Sequence, residues 1–176
     1  PKDIGLIIQH LDISPGKVVL EIGTGSGALS ISIANLVKPG GHLYTYEAKK
    51  RFAEMAQRNI RRAGLGDYVT IINRDAKSGI EVDAVDAVSI DVGDPWEIIP
   101  VVSEPLRLGS PLCSFSPTVN QVEKTVESLR SLGFVDISTL ECFVRHMRVE
   151  AGKTRPATTM ISHTGYLTFA RRGEMP

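Results

Sequence analysis

The sequence predicts an α/β fold: a doubly wound, mostly parallel sheet of seven strands, closed at one edge by an antiparallel pair. Three observations carry that prediction. Short apolar runs alternate with segments of helical 3/4 spacing along most of the chain. The first run passes through a glycine string, EIGTGSGA, into a helix. The last two runs follow one another with no helix between them. With 176 residues and 42% hydrophobic content the chain can bury one core, and its length favours a single domain over 1–176.

The elements follow in order. Ser14-Pro15-Gly16 is a turn signal, and residues 17–22 (KVVLEI) are the first strand. Residues 28–37 (ALSISIANLV) read as a helix, stopped by Lys38-Pro39-Gly40-Gly41. Residues 42–47 (HLYTYE) are the second strand. In 48–65, Phe52, Met55, Ala56, Ile60 and Ala63 keep helical spacing, and Gly64 sits where a C-cap belongs. Residues 68–73 (YVTIIN) and 85–91 (VDAVSID) are the third and fourth strands. A short helix over 96–102 and a fifth strand over 111–116 (PLCSFS) come next. Residues 120–133 form an amphipathic helix with Val122, Val126 and Leu129 on one face and Gly133 beyond its end. Residues 134–143 and 164–172 read as the closing antiparallel pair, interrupted by an irregular polar segment, 145–162. There is no internal repeat and no low-complexity segment.

Composition narrows the class. Twenty Lys+Arg balance 20 Asp+Glu, so the mean charge gives no support for a polyanion partner, though it permits a local basic face. Cys113 and Cys142 lie in no ligand spacing, which predicts free thiols in a reducing, cytoplasmic compartment and no metal site. No apolar run is long enough to predict a membrane span, and no leader pattern precedes the first element. The chain begins at Pro1 without a methionine, which suggests that residues precede it.

The glycine string is a cofactor loop by placement. Gly23, Thr24, Gly25, Ser26 and Gly27 join a strand to a helix whose N-terminus offers free N–H groups. The string also satisfies the dinucleotide pattern G-x-G-x-x-A, so a nicotinamide enzyme is one reading. Two features favour S-adenosyl-L-methionine. Glu21, two residues before Gly23, suits a cationic amino group and is a poor neighbour for a pyrophosphate; Gly27 adds a third glycine. Glu47, at the end of the second strand, can bind a ribose diol in either cofactor. Asp75, after the third strand, is placed to meet an adenine amino group. The plain alternative for Glu21 is a solvated strand-end acid.

Asp91 ends the fourth strand. In open α/β sheets the ligand crevice lies at the carboxyl ends of the strands, so Asp91 faces the same crevice as Glu21, Glu47 and Asp75. Pro95 and Trp96 then fix the turn and supply an aromatic wall; the plain alternative for Trp96 is a core-capping aromatic. Two stretches are locally basic. Lys49, Lys50, Arg51, Arg58, Arg61 and Arg62 read as a solvated helix face. Arg145, Arg148, Lys153, Arg155, Arg171 and Arg172 read as a phosphate contact, led by Arg145 and Arg155 in the irregular segment. His163 and Cys113 belong to no triad and read as structural.

In chain order, PKD, EIGTGSG, YEAKKRFAEMAQRN, DVGDPW, SPTVNQVEKTVE, Arg155-Pro156 and SHTGYLTFARR resemble the tRNA (adenine-N1)-methyltransferases of the TrmI type over essentially the whole chain. The glycine loop alone is common to many methyltransferases; D-x-x-x-P-W, SPT-x-x-Q and HTGYL are specific in combination. The resemblance implies a Rossmann-like class I domain that methylates N1 of adenosine 58 in the T-loop and, in prokaryotes, a homotetramer. It implies cofactor contacts from Glu21, Gly23, Thr24, Gly25, Ser26, Gly27, Glu47 and Asp75. Asp91 would be the catalytic acid, touching both cofactor and adenine. Trp96, Phe115, Pro117 and Gln121 would stand on the base side, with Arg145 and Arg155 on the RNA. Three departures stand out: the family's aromatic residue before PKD and its small N-terminal domain would precede Pro1 and are not in this sequence, and Phe115 stands where bacterial members often carry Tyr. Other readings are a small-molecule methyltransferase of the cobalamin-precursor type and a non-catalytic scaffold. The retained glycine loop and Asp91 argue against the scaffold.

Overall fold

A computed structural model describes residues 2–174; Pro1, Met175 and Pro176, the ends of the domain expected over 1–176, lie outside the described residues. The chain order is α1 (Lys2–His10), β1 (Val18–Ile22), α2 (Ala28–Val37), β2 (His42–Tyr46), α3 (Lys50–Arg62), β3 (Val69–Ile72), β4 (Ala87–Ile90), α4 (Pro95–Ser103), β5 (Pro111–Ser116), α5 (Val119–Ser131), β6 (Val135–Glu141), β7 (Met147–Arg148), β8 (Arg155–Pro156) and β9 (Tyr166–Arg171). Every predicted strand and helix is present. Gly64 and Gly133 take positive φ just beyond α3 and α5, where only a residue without a Cβ is unstrained.

The sheet runs β3-β2-β1-β4-β5-β9-β6. All neighbours are parallel except β9, which is antiparallel to both β5 and β6. The last strand therefore inserts between β5 and β6, and β6 forms the edge. Strands β1, β4 and β5 are buried almost throughout because helices cover both faces. Leu20, Ile22, Ile90 and Leu112 belong to one core with Ile98 and Val102 of α4 and Leu129 of α5. Val19, Leu43, Cys113 and Phe169 belong to the opposite core with Ile7 of α1 and Ile33 of α2.

Two elements go beyond the sequence reading. Helix α1, nine residues long, lays Ile7 on the second core. The irregular segment holds the two-residue pair β7 and β8, with Arg148 opposite Arg155. Around it Phe143, Val144, Met147, Val149 and Ile161 are exposed. Among the described residues, no helix is long and apolar enough to cross a membrane.

The order of strands reverses between β1 and β4, so their chains leave the sheet side by side in opposite senses of connection. That is the switch point at which open α/β sheets bind ligands. Register places Glu21 between Thr45 and Ser89, and Ile22 beside Ile90. Gly23 and Asp91 then emerge together from adjacent strand ends.

Candidate cofactor and acceptor site

Glycine geometry opens the crevice. Gly23 has φ +97°, and a Cβ there would lie 2.1 Å from the Asp91 carbonyl oxygen, so only glycine lets the two strand ends meet. Gly27, also at positive φ, caps α2, and its missing side chain lets Ala56 of α3 approach. Gly25, with φ +55°, meets nothing within 4 Å at its Cβ position and faces open space.

Two cavities share Gly23, Gly25 and Asp91. The first, of about 390 Å³, is lined by Glu47, Phe52, Asp75, Lys77 and Asp94 among others. The second, of about 320 Å³, is lined by Asp3, Ile4, Ile7, Glu21, Ser89 and Phe115 among others. Asp91 stands at their junction and lines both.

Glu21 is almost wholly buried. Its Oε2 accepts the Ser30 hydroxyl at 2.5 Å and the Thr45 hydroxyl at 2.7 Å. The Thr45 hydroxyl hydrogen is committed to the bond with Glu21, so the 2.6 Å contact between Thr24 and Thr45 is donated by Thr24. Oε1 of Glu21 has no partner. Burial pushes the Glu21 carboxyl up to about 7 against the help of those two hydroxyls, and the Asp91 and Glu47 carboxylates add to the rise. A buried acid with one empty oxygen is costly, and a cation is the partner that would relieve it.

Glu47 is buried and fixed. Its Oε2 accepts the Gly25 amide at 3.0 Å and its Oε1 accepts the Lys49 amide at 2.9 Å. Each oxygen accepts one such bond, and Glu47 lines the first cavity. Asp75 caps a short 3-10 turn by accepting the Lys77 amide at 2.9 Å. The Lys77 ammonium joins Asp94 and Glu97 across the first cavity's rim, and those carboxylates raise its pKa. The Asp91 backbone amide donates to Ile22 at 2.8 Å, and its carboxyl is open to the crevice. The surrounding protein still desolvates that carboxyl enough to raise its pKa.

The base-side residues divide. Phe115 lines the second cavity. Gln121 does not offer its amide to a ligand. Its Oε1 accepts from the Thr118 amide and hydroxyl, and its Nε2 donates to the Gly93 carbonyl at 2.8 Å. It ties α5 to the loop after Asp91. The Pro117 carbonyl accepts from His163 at 2.8 Å. Trp96 lies outside the linings of both cavities: the Lys124 ammonium sits 4.6 Å from its ring centre, and Ser128 donates to its carbonyl. The aromatic wall expected from Trp96 is thus a packing contact between α4 and α5. Arg145 and Arg155 are exposed on the β7–β8 arm, away from both cavities. Sequence reasoning missed Asp3, Ile4 and Ile7 of α1 as walls of the second cavity, although the PKD motif pointed to that end of the chain. Among the described residues, no group of three His, Cys, Asp or Glu side chains is placed to hold a metal ion.

A protein-family model described as the tRNA methyltransferase complex GCD14 subunit matches residues 1–154. A Methanocaldococcus jannaschii protein named tRNA (adenine(57)-N(1)/adenine(58)-N(1))-methyltransferase TrmI is 34% identical, over 97% of this chain and 70% of its own. The crystal structure of the tRNA (m1A58) methyltransferase TrmI from Aquifex aeolicus superposes with a TM-score of 0.90 and 35% identity, covering 98% of this chain and 68% of that one. A Thermotoga maritima structure described as a SAM-dependent O-methyltransferase superposes at TM-score 0.95 with 35% identity, over 98% of this chain and 65% of that one. The chain therefore spans about two thirds of the length of these relatives.

Proposed function

The chain belongs to the family described as the tRNA methyltransferase complex GCD14 subunit, and from that premise we propose that it transfers a methyl group from S-adenosyl-L-methionine to N1 of adenine 58 in the T-loop of tRNA. The observation that carries this reading is Glu21, a buried acid with one unpartnered oxygen beside the cavity it shares with Asp91.

S-adenosyl-L-methionine, when bound, supplies an activated methyl group on a sulfonium. Everything else falls to the chain. Glu21 Oε1 takes the ammonium of the cofactor, which supplies the missing partner and favours the ionised carboxylate. Glu47, held by two backbone amides, offers its remaining lone pairs to a ribose diol. Asp75 meets the adenine amino group, and Gly23 and Gly25 leave room for close approach. Three carboxylates around the loop, Glu21, Glu47 and Asp91, repel a pyrophosphate, which disfavours a dinucleotide cofactor.

On the acceptor side Asp91 accepts a hydrogen bond from the adenine N6 amino group. That contact orients the base and shifts electron density toward N1. Phe115 gives the base a face to stack on but no hydroxyl to bond it. Positioning and electrostatics supply the acceleration, since a methyl displacement at nitrogen needs no nucleophile from the protein. The target base leaves its stacked position to reach Asp91, as in other base-modifying enzymes. Arg145 and Arg155 contact RNA phosphates. The exposed apolar residues of the arm are covered in a homotetramer, and the two free thiols suit the cytoplasm.

The test is transfer of tritiated methyl from S-adenosyl-L-methionine to unmodified tRNA, compared with the same tRNA changed at position 58. Incorporation that vanishes with the change supports the assignment. Incorporation that persists, or transfer to a cobalamin precursor in place of tRNA, refutes it.

A further inference from the structure

The motifs that the cofactor site leaves unused meet in space. Lys2 of α1 donates to Asp3 at 2.8 Å and to the Thr164 hydroxyl at 2.7 Å, and Thr164 donates back to Asp3 at 2.9 Å. One residue earlier, His163 stands between two acceptors. Its Nδ1 lies 2.6 Å from Glu141 Oε1, at the end of β6, and its Nε2 lies 2.8 Å from the Pro117 carbonyl, at the turn into α5. One residue later, the backbone of Gly165 lies under the Phe115 ring, where a Cβ would come within 2.3 Å of Cζ. The stretch 163–165 thus grips the β5–α5 turn on both sides of Ser116. From that turn, Gln121 reaches the Gly93 carbonyl, two residues past Asp91.

We propose that His163 is a positioning residue for the acceptor base. Donating from both ring nitrogens, to Glu141 and to the Pro117 carbonyl, it fixes the turn between Phe115 of β5 and Gln121 of α5 and so sets the wall of the cavity that Asp91 shares. The proposal rests on the methyl-transfer reading above. Its chemistry follows from the acceptors: a carboxylate and a carbonyl both require a donor, and only the imidazolium offers two. A neutral ring leaves a lone pair facing one of the oxygens. Glu141 chiefly, and then the Pro117 carbonyl, raise the His163 pKa, while Lys2, itself bound to Asp3, opposes them. The Tyr166 ring, 5.0 Å away, completes the surroundings. The clamp is therefore complete below the ordinary imidazole range, near 6.5, and is lost as pH rises through the raised value.

The experiment uses the full chain, wild type, E141Q and H163Q, with three readouts: methyl transfer to unmodified tRNA against pH, cofactor affinity by calorimetry, and hydrogen exchange of the 118–122 amides. In the wild type, kcat falls on the alkaline side of the His163 transition. E141Q moves that fall to lower pH. H163Q abolishes it and lowers kcat at neutral pH about tenfold, the worth of one charge-assisted hydrogen bond. Cofactor affinity is equal in all three, and the 118–122 amides exchange about tenfold faster in H163Q. An alkaline limb that E141Q does not move and H163Q retains overturns the proposal, as does unchanged exchange at 118–122. Wild type that methylates no tRNA, with those amides still loosened in H163Q, counts against the methyl-transfer reading and leaves the clamp standing.

Discussion

Glu21 carries two opposed demands, and its pH behaviour separates them. In the free protein burial holds its carboxyl near 7, well above the usual carboxylate range. An acid whose folded pKa is raised binds its proton more tightly folded than unfolded. Its contribution is therefore complete below the unfolded value, near 4.5, and is lost as pH rises toward 7. The loss amounts to about 3 kcal/mol for a fully buried group. E21Q should flatten the fall in stability between pH 5 and 8, measured by urea unfolding at each pH. The same variant should lose most of its affinity for S-adenosyl-L-methionine, because a neutral amide cannot answer an ammonium. Wild-type affinity should in turn weaken as pH drops below about 7, with protons released on binding, which calorimetry in two buffers detects. Asp91 makes a sharper contrast. D91A leaves the Asp91 backbone bond to Ile22 intact, so the fold should persist. Turnover should drop by about 100-fold or more, the cost of a missing donor or acceptor at a reacting centre. Turnover near that of the wild type would refute its role.

Backbone devices at the level of elements decide whether those side chains arrive. G23A forces a side chain at φ +97° into the Asp91 carbonyl. The dihedral alone costs about 1–3 kcal/mol, so the variant should unfold earlier and bind no cofactor. At the start of α5, Thr118 and Gln121 form a capping box. T118A should cost about 1 kcal/mol in denaturant unfolding. Q121A should cost a similar amount but reduce turnover further than T118A does, because it also releases Gly93. The box lies in the SPT-x-x-Q string, which sequence reasoning took only as a family motif, and its second partner left no signal: no spacing rule links residue 121 to residue 93. The same distinction runs through the molecule. Glu21, Gly23, Glu47 and Asp91 were legible because strand ends and glycines at a strand–helix junction fix where a side chain must stand. Trp96 was not, because a residue in a first helical turn can face the crevice or the neighbouring helix, and here Lys124 and Ser128 hold it to α5. Helix α1 escaped notice because, of its nine residues, only Ile7 is fully buried. The β7–β8 pair, two residues per strand, has no period to detect.

Across the whole molecule the question that the proposed activity raises is how a chain with no net charge would hold a polyanion. Its 20 cations and 20 anions cancel only on average. Of the two basic stretches, α3 and the arm lie by different cavities, while Arg171 and Arg172 donate to the Gly109, Glu104 and Leu106 carbonyls near the start of β5, away from the crevice. Helix α3 adjoins the cofactor half, where Lys49 and Phe52 line the first cavity. The β7–β8 arm adjoins the second cavity: a groove of about 830 Å³ runs between α1 and the arm, lined by Lys2, Val144, His146 and Ile161, and Asp3 belongs both to it and to that cavity. An RNA whose base reaches Asp91 from that side passes the arm and misses the outer face of α3. On the arm Arg148 is partnered by Glu150, while Arg155 lies opposite it with its charge toward solvent. Each phosphate contact removed should lower the slope of log affinity against log salt by about 1. R145Q and R155Q should each do so for tRNA, and the pair together should lower it by about 2 if the sites are independent. R58Q and R61Q, on α3, should leave the slope where it was. The measurement is filter binding of tRNA between low and physiological salt. A slope that falls with the α3 variants and not with those of the arm would place the RNA on the cofactor side of the sheet, and the path from the arm through Asp3 to Asp91 would then be wrong.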